Sequence, residues 1–268
     1  MVDYLSTQKY PENASWAMKR IVNFINAYAK QNNLRNEDIK ILDWGCGKGN
    51  DSLWLLNQGY NVFGVDIDKE RIDGGNVLFE EDGFGEGRLS LLDHNKTKFE
   101  GNKFNIIYSK QVLEHVKDID SVAKEMKRLL SNNGKCFHIF PAHRHISERH
   151  LFMPFVHWLP KNSIRKLIIS IYTYCGVEPK WETIKNLSNS EKAEHYYRYS
   201  IDHTYYRSFQ KIKNIFEKAG LKVQFNVLEH PKLQENSLTK LLVSNNITRR
   251  FFEYLLLTFI SIEVVASQ

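Results

Sequence analysis

Apolar residues recur with two different periods in the first 140 positions, and their alternation predicts an α/β fold. Residues 15–30 carry apolar side chains at helical spacing, which predicts an amphipathic opening helix. Short apolar runs predict five strands, at residues 40–44, 61–65, 89–92, 104–108 and 135–140. Helices are predicted between them at residues 51–57, from residue 69 onward and at 121–130. Strands that alternate with helices predict a mostly parallel sheet with right-handed crossovers.

The pattern changes after Pro141. Residues 141–207 contain six of the ten histidines and many aromatic side chains, where a doubly wound sheet needs only a short connection. The alternation then resumes, with a helix at 209–219, a strand at 221–228, a helix at 247–257 and a last strand at 260–266. We therefore predict a Rossmann-like, doubly wound sheet of seven strands with the last one antiparallel. The predicted parts are a cofactor-binding core with the opening helix (1–140), an inserted helical and aromatic lid (141–207) and the C-terminal part of the sheet (208–268).

Composition limits the class of protein. With 268 residues, of which 42% are hydrophobic and 25% charged, the chain can bury one large core. Its three cysteines are far apart and form no C-x-x-C pair, so neither a disulfide framework nor a zinc knuckle is expected. The first twenty residues lack an apolar stretch behind a basic start, and no apolar run approaches the ~20 residues of a membrane span. A cytoplasmic protein is predicted.

The net charge of +6 lies entirely in the second half of the chain. Residues 1–140 contain 19 Lys and Arg against 20 Asp and Glu, whereas residues 141–268 contain 18 against 11. A basic half can favour nucleic acid, anionic lipid or a phosphorylated small molecule. Because these charges are scattered rather than clustered, an ordinary solvated surface is the favoured interpretation.

The first strand runs into a glycine turn at a helix start, in the sequence KILDWGCGKGN of residues 40–50. Glycines at such a turn let the backbone approach a ligand closely. The dinucleotide fingerprint G-x-G-x-x-G would need glycine at Asn50, and Asp43 would repel a pyrophosphate but attract an ammonium or sulfonium group. About 20 residues later Asp66 ends the second strand, where a carboxylate accepts hydrogen bonds from ribose hydroxyls. Adenosine joined to a cation describes S-adenosylmethionine.

The same region resembles class I S-adenosylmethionine-dependent methyltransferases of the small-molecule type. Residues 41–49 are similar to the first motif of that family, and Asp66 to its ribose-binding acid. Residues 105–116, NIIYSKQVLEHV, resemble the fourth-strand stretch, with Asn105 in place of the usual aspartate. Residues 129–135 resemble the turn that follows, although Asn132 replaces its proline. Residues 141–160 are similar to methyltransferases of bacterial polysaccharide gene clusters.

This resemblance implies the residues that bind the methyl donor. Asp43 is assigned to the methionine ammonium group, Asp66 to the ribose and Ile67 to one face of the adenine. The full predicted set is Asp43, Gly45, Cys46, Gly47, Gly49, Asp66, Ile67, Leu92, Asp93, Ser109 and Gln111. Within it, Asp93 is assigned to the adenine amino group, and Ser109 and Gln111 to the methionine arm.

Glu114 and His115 raise the question of a metal, because some RNA-end methyltransferases carry E-x-x-E-H on this helix. Here Gln111 stands at the first glutamate position, so one anionic ligand is missing. No metal is therefore predicted, and Glu114 and His115 are interpreted as residues of the active-site wall.

Histidines of the lid are the candidate general bases. Removing a proton from an acceptor hydroxyl needs a base with a pKa near neutrality. His150 is the first choice and His143 the second, while His157 and His203 stay open as alternatives. A metal clip of His143, His145 and His150 is a weaker interpretation, since loop histidines are more often solvated.

The predicted function is O-methylation of a small molecule such as a sugar or glycan precursor. An apolar, basic-edged stretch formed by residues 152–158 and 164–174 is expected to close over the substrate as a lid. Peripheral contact of this stretch with a membrane and a lipid-linked sugar stays open. Methylation of RNA or other nucleic acid and a non-catalytic S-adenosylmethionine-binding regulator are the alternatives, although no nucleic-acid partner is expected. The oligomeric state stays undetermined.

Overall fold

The computed structural model describes residues 15–85 and 87–268 and contains a seven-stranded sheet in the order β3-β2-β1-β4-β5-β7-β6. The strands are β1 (Lys40–Trp44), β2 (Asn61–Asp66), β3 (Leu89–Leu91), β4 (Phe104–Lys110), β5 (Leu130–Pro141), β6 (Lys222–Phe225) and β7 (Ser261–Ser267). β7 runs antiparallel to both of its neighbours, and the other pairs are parallel. The predicted fold class is confirmed, including the antiparallel last strand. The expectation of no secretory leader rests mainly on residues 1–14, which lie outside the described residues.

Ten helices connect and cover these strands in the described residues. They are α1 (Trp16–Asn32), α2 (Asn50–Asn57), α3 (Lys69–Glu81), α4 (Ile119–Leu129), α5 (Ser163–Tyr174), α6 (Asn189–Asp202), α7 (Phe209–Lys218), α8 (Pro231–Glu235), α9 (Ser237–Ser244) and α10 (Asn246–Phe259). Local sequence explains several starts. The Ser15 hydroxyl accepts the Met18 N–H at 3.3 Å, and Ser188 with Glu191 forms a capping box at α6.

Two apolar layers cover the sheet. One joins α1, α2 and α3 to the strands and includes Ile21, Ile25 and Phe79. The other joins α4, α7 and α10 and includes Phe104 and Phe216. Because both faces are covered, the central strands consist almost entirely of buried residues, as their continuous apolar runs predict.

Some predicted boundaries differ from the structure. The strand predicted at 221–228 ends at Phe225, because Val227–Glu229 forms a turn of 3₁₀ helix. The strand predicted from residue 135 already begins at Leu130, directly after α4. The apolar pattern of the sequence does not predict helix α6, because only a few positions of this polar, tyrosine-rich segment are buried.

The segment between β5 and α7 has an apolar cluster of its own. Leu151, Met153, Ile169 and Tyr196 are buried together, separately from both layers of the sheet. The opposite face of α5 is exposed and still apolar, with Ile164, Leu167, Ile171 and Tyr174 each about half to two-thirds accessible. The division into a core, an inserted lid and a C-terminal part stays a prediction. Among the described residues, no helix is both long enough and apolar enough to cross a membrane.

Candidate active site

The glycine turn lies at the carboxyl end of β1, where ligands bind in open α/β sheets. The backbone N–H groups of Gly45 and Cys46 donate to the Val65 carbonyl oxygen at 2.8 and 3.0 Å. Gly49 then starts α2 in the left-handed region, at φ +77°. Backbone hydrogen bonds to β2 therefore fix the turn, and they place it beside the end of that strand.

The glycines of this turn serve different purposes. A Cβ on Gly45 would lie 2.5 Å from the Val112 side chain, and one on Gly49 would lie 2.9 Å from Leu89 and from Phe79. Both are close-packing positions. A Cβ on Gly47 would meet only one atom, of Arg71, at 3.9 Å. The Gly47 side of the turn is therefore the open one, and a ligand can approach it.

Asp66 lies next to this open side. Its carboxylate accepts the Gly47 N–H at 2.8 Å through Oδ2 and the Asp68 N–H at 3.0 Å through Oδ1. Each oxygen keeps lone-pair capacity for a further donor. The next residue, Ile67, is 75% exposed. A fixed carboxylate beside an exposed apolar side chain suits a ribose and its adenine.

Asp43 is a buried acid at the end of β1. It is 4% exposed and accepts a hydrogen bond from the Ser52 hydroxyl at 2.7 Å. Burial raises the pKa of Asp43 to about 7, because the charged form loses its hydration. A nearby cation on a ligand would offset that loss. The only cation beside it in the described residues, Lys110, already pairs with Asp51.

The remaining predicted donor-binding residues are more varied in position. Gln111 adopts φ +59°, which is rare for a residue with a side chain, and its N–H donates to the Ile139 carbonyl at 2.9 Å. Cys46 is half-buried in the turn. Leu92 is buried, and its N–H donates to the Asp66 carbonyl at 2.8 Å. The Asp93 side chain is 90% exposed, so its assignment to the adenine stays a prediction.

The Ser109 side chain does not face the crevice, and its assignment to the methionine arm stays a prediction. Ser109 is fully buried, and its hydroxyl lies 2.8 Å from Nδ1 of the buried His138. Side chains alternate between the faces of a strand, and this one points into the apolar layer rather than toward the crevice. The residue types alone could not show on which face it lies.

A second cavity of about 290 Å³ lies within the segment between β5 and α7, next to the first turn of α7, and has a strongly basic lining. We call it the basic cavity; it is lined by His143, His157, Lys161, Arg165, Thr204, Tyr205, Tyr206, Arg207 and Lys211. Lys161 donates to the Thr204 carbonyl at 2.6 Å, Arg165 to that of Ser200 at 3.2 Å and Arg207 to that of Val116 at 2.7 Å.

The lining of the basic cavity contains no carboxylate in the described part of the chain, and the acids that interact with its cations, such as Asp202 with Lys161 and Glu148 with Arg165, lie outside it. Within the described ranges, Lys161, Arg165 and Arg207 form no ion pair with a carboxylate, although Arg165 is only 4% exposed. His143 is half-buried in the lining, and burial together with Arg144 lowers its pKa. Both cavity histidines are therefore neutral near pH 7, since burial also lowers the pKa of His157 to about 4. The cavity suits an anionic molecule.

His150 lies outside the lining of the basic cavity, beside Glu114. Its ring centroid is 4.6 Å from that of His115 and 5.9 Å from that of Tyr199. Burial raises the pKa of Glu114 to about 8. Glu114, His115 and His150 offer ligand atoms that could hold a metal ion. His203, the other histidine left open, is exposed and stacks on Tyr199.

Sequence reasoning did not single out Glu148 and Tyr206. Glu148 is 1% exposed, accepts the His150 N–H at 2.7 Å and receives the Tyr206 hydroxyl at 2.6 Å. It thereby joins the loop after β5 to the segment before α7. A single acid among many charged residues gives no signal of burial, so only the fold could identify it. Another cavity, of about 500 Å³, lies at the amino-terminal edge of the sheet, beside Asn105 and Asn133, and away from this chemistry.

Comparison with known proteins gives a consistent result. The family model described as a methyltransferase domain matches residues 12–224, most of the chain. The chain is 33% identical over 102 residues to a ubiquinone biosynthesis O-methyltransferase of Actinobacillus pleuropneumoniae serotype 7, a match covering 37% of this chain and 44% of that protein. It is 31% identical over 101 residues to the sterol 4-C-methyltransferase strm-1 of Caenorhabditis elegans, covering 37% and 30%.

The chain thus matches less than half the length of these two relatives. Among solved structures, an S-adenosylmethionine-dependent methyltransferase from Mesorhizobium loti superposes with a TM-score of 0.51 at 13% identity, covering 92% of this chain and 96% of that one. At that identity the likeness shows a shared fold.

Proposed function

The chain belongs to the methyltransferase-domain family, as its motifs predict, and on that premise we propose that it methylates a hydroxyl group of a small molecule with S-adenosylmethionine as donor. The acceptor that we propose is a sugar or another glycan precursor that carries an anionic group. The observation that carries the proposal is the pairing of two sites, an acidic crevice that suits a cationic nucleoside and a basic cavity that suits an anion.

Four residues of the crevice would hold the donor. Asp66 would accept the ribose hydroxyls, Ile67 would cover the adenine, the open backbone at Gly47 would lie against the methionine arm, and Asp43 would offset its ammonium charge. When bound, S-adenosylmethionine supplies a methyl group on a positively charged sulfur. The crevice fits this group because both acids are fixed in place before the ligand arrives.

The acceptor would bind in the basic cavity. Arginine and lysine side chains bind phosphate through charge-assisted hydrogen bonds, and the buried Arg165 has no acid of its own. Sugars that serve as glycan precursors are commonly activated as phosphate esters, whereas neutral saccharides would gain nothing from four cations. This supports a phosphorylated sugar over a neutral one.

We assign proton removal to His143 rather than to His150. His143 lines the basic cavity, whereas His150 faces Glu114. The lowered pKa of His143 keeps its ring neutral at pH 7, so a ring nitrogen can accept the proton that the hydroxyl loses as its oxygen gains the methyl group. The lid residues would exclude water and hold the hydroxyl in line with the donor.

A binding and turnover experiment tests the proposal. Calorimetry should show binding of S-adenosylmethionine and of S-adenosylhomocysteine but not of NADH. Methyl transfer should then be detected with nucleotide sugars or sugar phosphates and be weaker with the corresponding free sugars. Binding of NADH in place of the sulfonium nucleoside would overturn the donor assignment, and transfer only to an RNA oligonucleotide would overturn the acceptor assignment.

The base assignment has its own test. His143→Ala should lower kcat about 100-fold with little change in KM, because general-base catalysis contributes about that much. His145→Ala is the matched control, since His145 is a neighbouring histidine outside the cavity lining whose Nδ1 lies 2.9 Å from the Ser147 carbonyl oxygen. Equal kcat values in the two variants would exclude His143 as the base.

A further inference from the structure

Three side chains of metal-ligand type meet where the lid touches the core. Glu114 and His115 lie between β4 and α4, and His150 lies in the lid. One carboxylate oxygen and one nitrogen from each ring all lie within 4.8 Å of one another. We propose that these three residues, the Glu114 cluster, bind a divalent first-row transition metal ion, with Zn²⁺ as the best match.

Glu114 supplies the main observation. It is 1% exposed, and within residues 15–85 and 87–268 neither carboxylate oxygen has a hydrogen-bond partner. The basic group paired with it is His115, whose Nε2 lies 4.0 Å from Oε1. Buried carboxyl groups are almost always hydrogen-bonded, ion-paired or metal-bound, because a polar group without a partner is unstable away from water. A cation in the cluster would supply the missing compensation.

Each histidine of the cluster has a ring nitrogen that is free to bind an ion. His115 Nδ1 lies 2.6 Å from the His203 carbonyl oxygen. Since a carbonyl only accepts, Nδ1 carries the hydrogen, and Nε2 has its lone pair available. His150 Nε2 is buried and likewise lacks a partner among the described residues. A histidine whose second nitrogen donates to a backbone carbonyl is the usual arrangement around a bound metal.

The surrounding acid does not replace the missing partner. Glu148 is also buried, but its oxygens are occupied by the His150 N–H, the Leu151 N–H and the Tyr206 hydroxyl. Glu148 therefore adds negative charge near the cluster but supplies no hydrogen-bond donor to the Glu114 carboxyl group. Its hydrogen bond to the His150 backbone also fixes the lid segment that carries the third ligand.

The donor set indicates which ion would bind. Two imidazole nitrogens and one carboxylate oxygen form a common zinc set that leaves a fourth position open, whereas Mg²⁺ and Ca²⁺ prefer oxygen ligands. Bonds of about 2.1 Å place tetrahedral ligands about 3.4 Å apart, so small side-chain rotations would have to contract the cluster. The absence of a glutamate at Gln111 does not exclude the site, because His150 supplies a ligand from 35 positions beyond His115.

The ion would connect the loop after β4 to the loop after β5. The Tyr205 N–H donates to the Glu114 carbonyl at 2.6 Å, so the segment before α7 closes on the same loop.

Metal binding can be measured without any turnover. The chelator-treated full chain should bind one equivalent of Zn²⁺ by calorimetry, and Co²⁺ should give the visible absorption of a tetrahedral or five-coordinate site. Glu114→Gln and His150→Ala should each weaken Zn²⁺ binding at least 10-fold. His195→Ala is the control, because His195 is an exposed lid histidine on α6.

Circular dichroism of each variant without metal checks that it is folded, and wild-type Tm should rise with Zn²⁺ while that of His150→Ala should not. Equal Zn²⁺ affinity in wild type, Glu114→Gln and His150→Ala, or no stoichiometric binding to the wild type, would overturn the site. S-adenosylhomocysteine binding measured in parallel separates the two proposals. Zn²⁺ binding without nucleoside binding would leave the metal site standing and remove the proposed function.

Discussion

The crevice and the basic cavity are built by different means. The crevice residues lie between Asp43 and Gln111, and backbone hydrogen bonds such as Gly45 N–H to Val65 hold them in position. The basic cavity combines residues that precede or begin α5 with residues that follow α6, and long side chains such as Arg207 hold it together by donating to loop carbonyls. A backbone-built site tolerates little change, whereas a site built by side chains can be altered residue by residue.

This difference bears on specificity. Every member of a methyl-donor family must recognise the same nucleoside, and a turn fixed by backbone geometry does so with few side chains. Recognition of an acceptor must differ between family members. The segment between β5 and α7, with its own apolar cluster around Ile169 and Tyr196, can change its surface without disturbing the sheet.

The largest expected effect is at the glycine turn. Gly49→Ala should lower the free energy of unfolding by about 3 kcal/mol, since it adds a left-handed backbone penalty to a clash with Leu89 and Phe79 at 2.9 Å. Gly59→Ala is the matched control, because Gly59 has φ +84° with nothing within 4 Å of an added Cβ. Chemical denaturation measures both. Equal losses would mean that close packing at Gly49 contributes nothing.

The next effect concerns the ribose assignment. Asp66→Ala should weaken S-adenosylhomocysteine binding about 100-fold, since charge-assisted hydrogen bonds contribute about 1.5–3 kcal/mol each. Calorimetry measures it, with Asp73→Ala as the control, because Asp73 is an exposed acid paired with Lys69 on α3. Unchanged affinity in Asp66→Ala would show that Asp66 does not bind the ribose, and the crevice would no longer differ from the basic cavity by an acid that binds the ligand.

A smaller effect is expected from pH. The pKa of Asp43 is about 7 in the free protein, and the donor's ammonium group favours the ionised form. Affinity for S-adenosylhomocysteine should therefore rise about tenfold from pH 6 to pH 8 and then level off. Asp43→Asn should remove this rise. Without ligand the sign is opposite, because a raised carboxyl pKa makes stability fall as pH rises from about 4 to 7. An affinity that falls with pH would contradict the assignment.

The smallest effect separates the two faces of α5. Ile169→Val should cost about 1 kcal/mol of lid stability, because Ile169 is fully buried. Ile171→Val, the same change at a half-exposed position, should be near neutral. Hydrogen exchange of the lid amides measures both while donor affinity stays constant. Equal effects would show that the exposed face of α5 is covered in solution.

Most of the sheet could be predicted from the sequence. The runs at residues 40–44 and 61–65 match β1 and β2 within a residue, because strands buried on both faces must be continuously apolar. The turn at Gly45 and the acid Asp66 could be predicted as well, because each lies at the end of one of these two strands. The sequence does not show which face of a strand a side chain lies on, as at Ser109, whose hydroxyl lies in the core.

The sequence by itself therefore determined the order of strands and helices, the glycine turn and the acids beside it, because each depends on residues close together in the chain. Only the tertiary structure decided that Glu114 and His115 meet His150, that Arg165 is buried without an acid, and that His143 rather than His150 lines the basic cavity. These contacts join residues that are far apart in the chain, and no periodic pattern in the sequence indicates that they meet. The burial and the ion pairing of these residues are therefore defined only once the chain has folded.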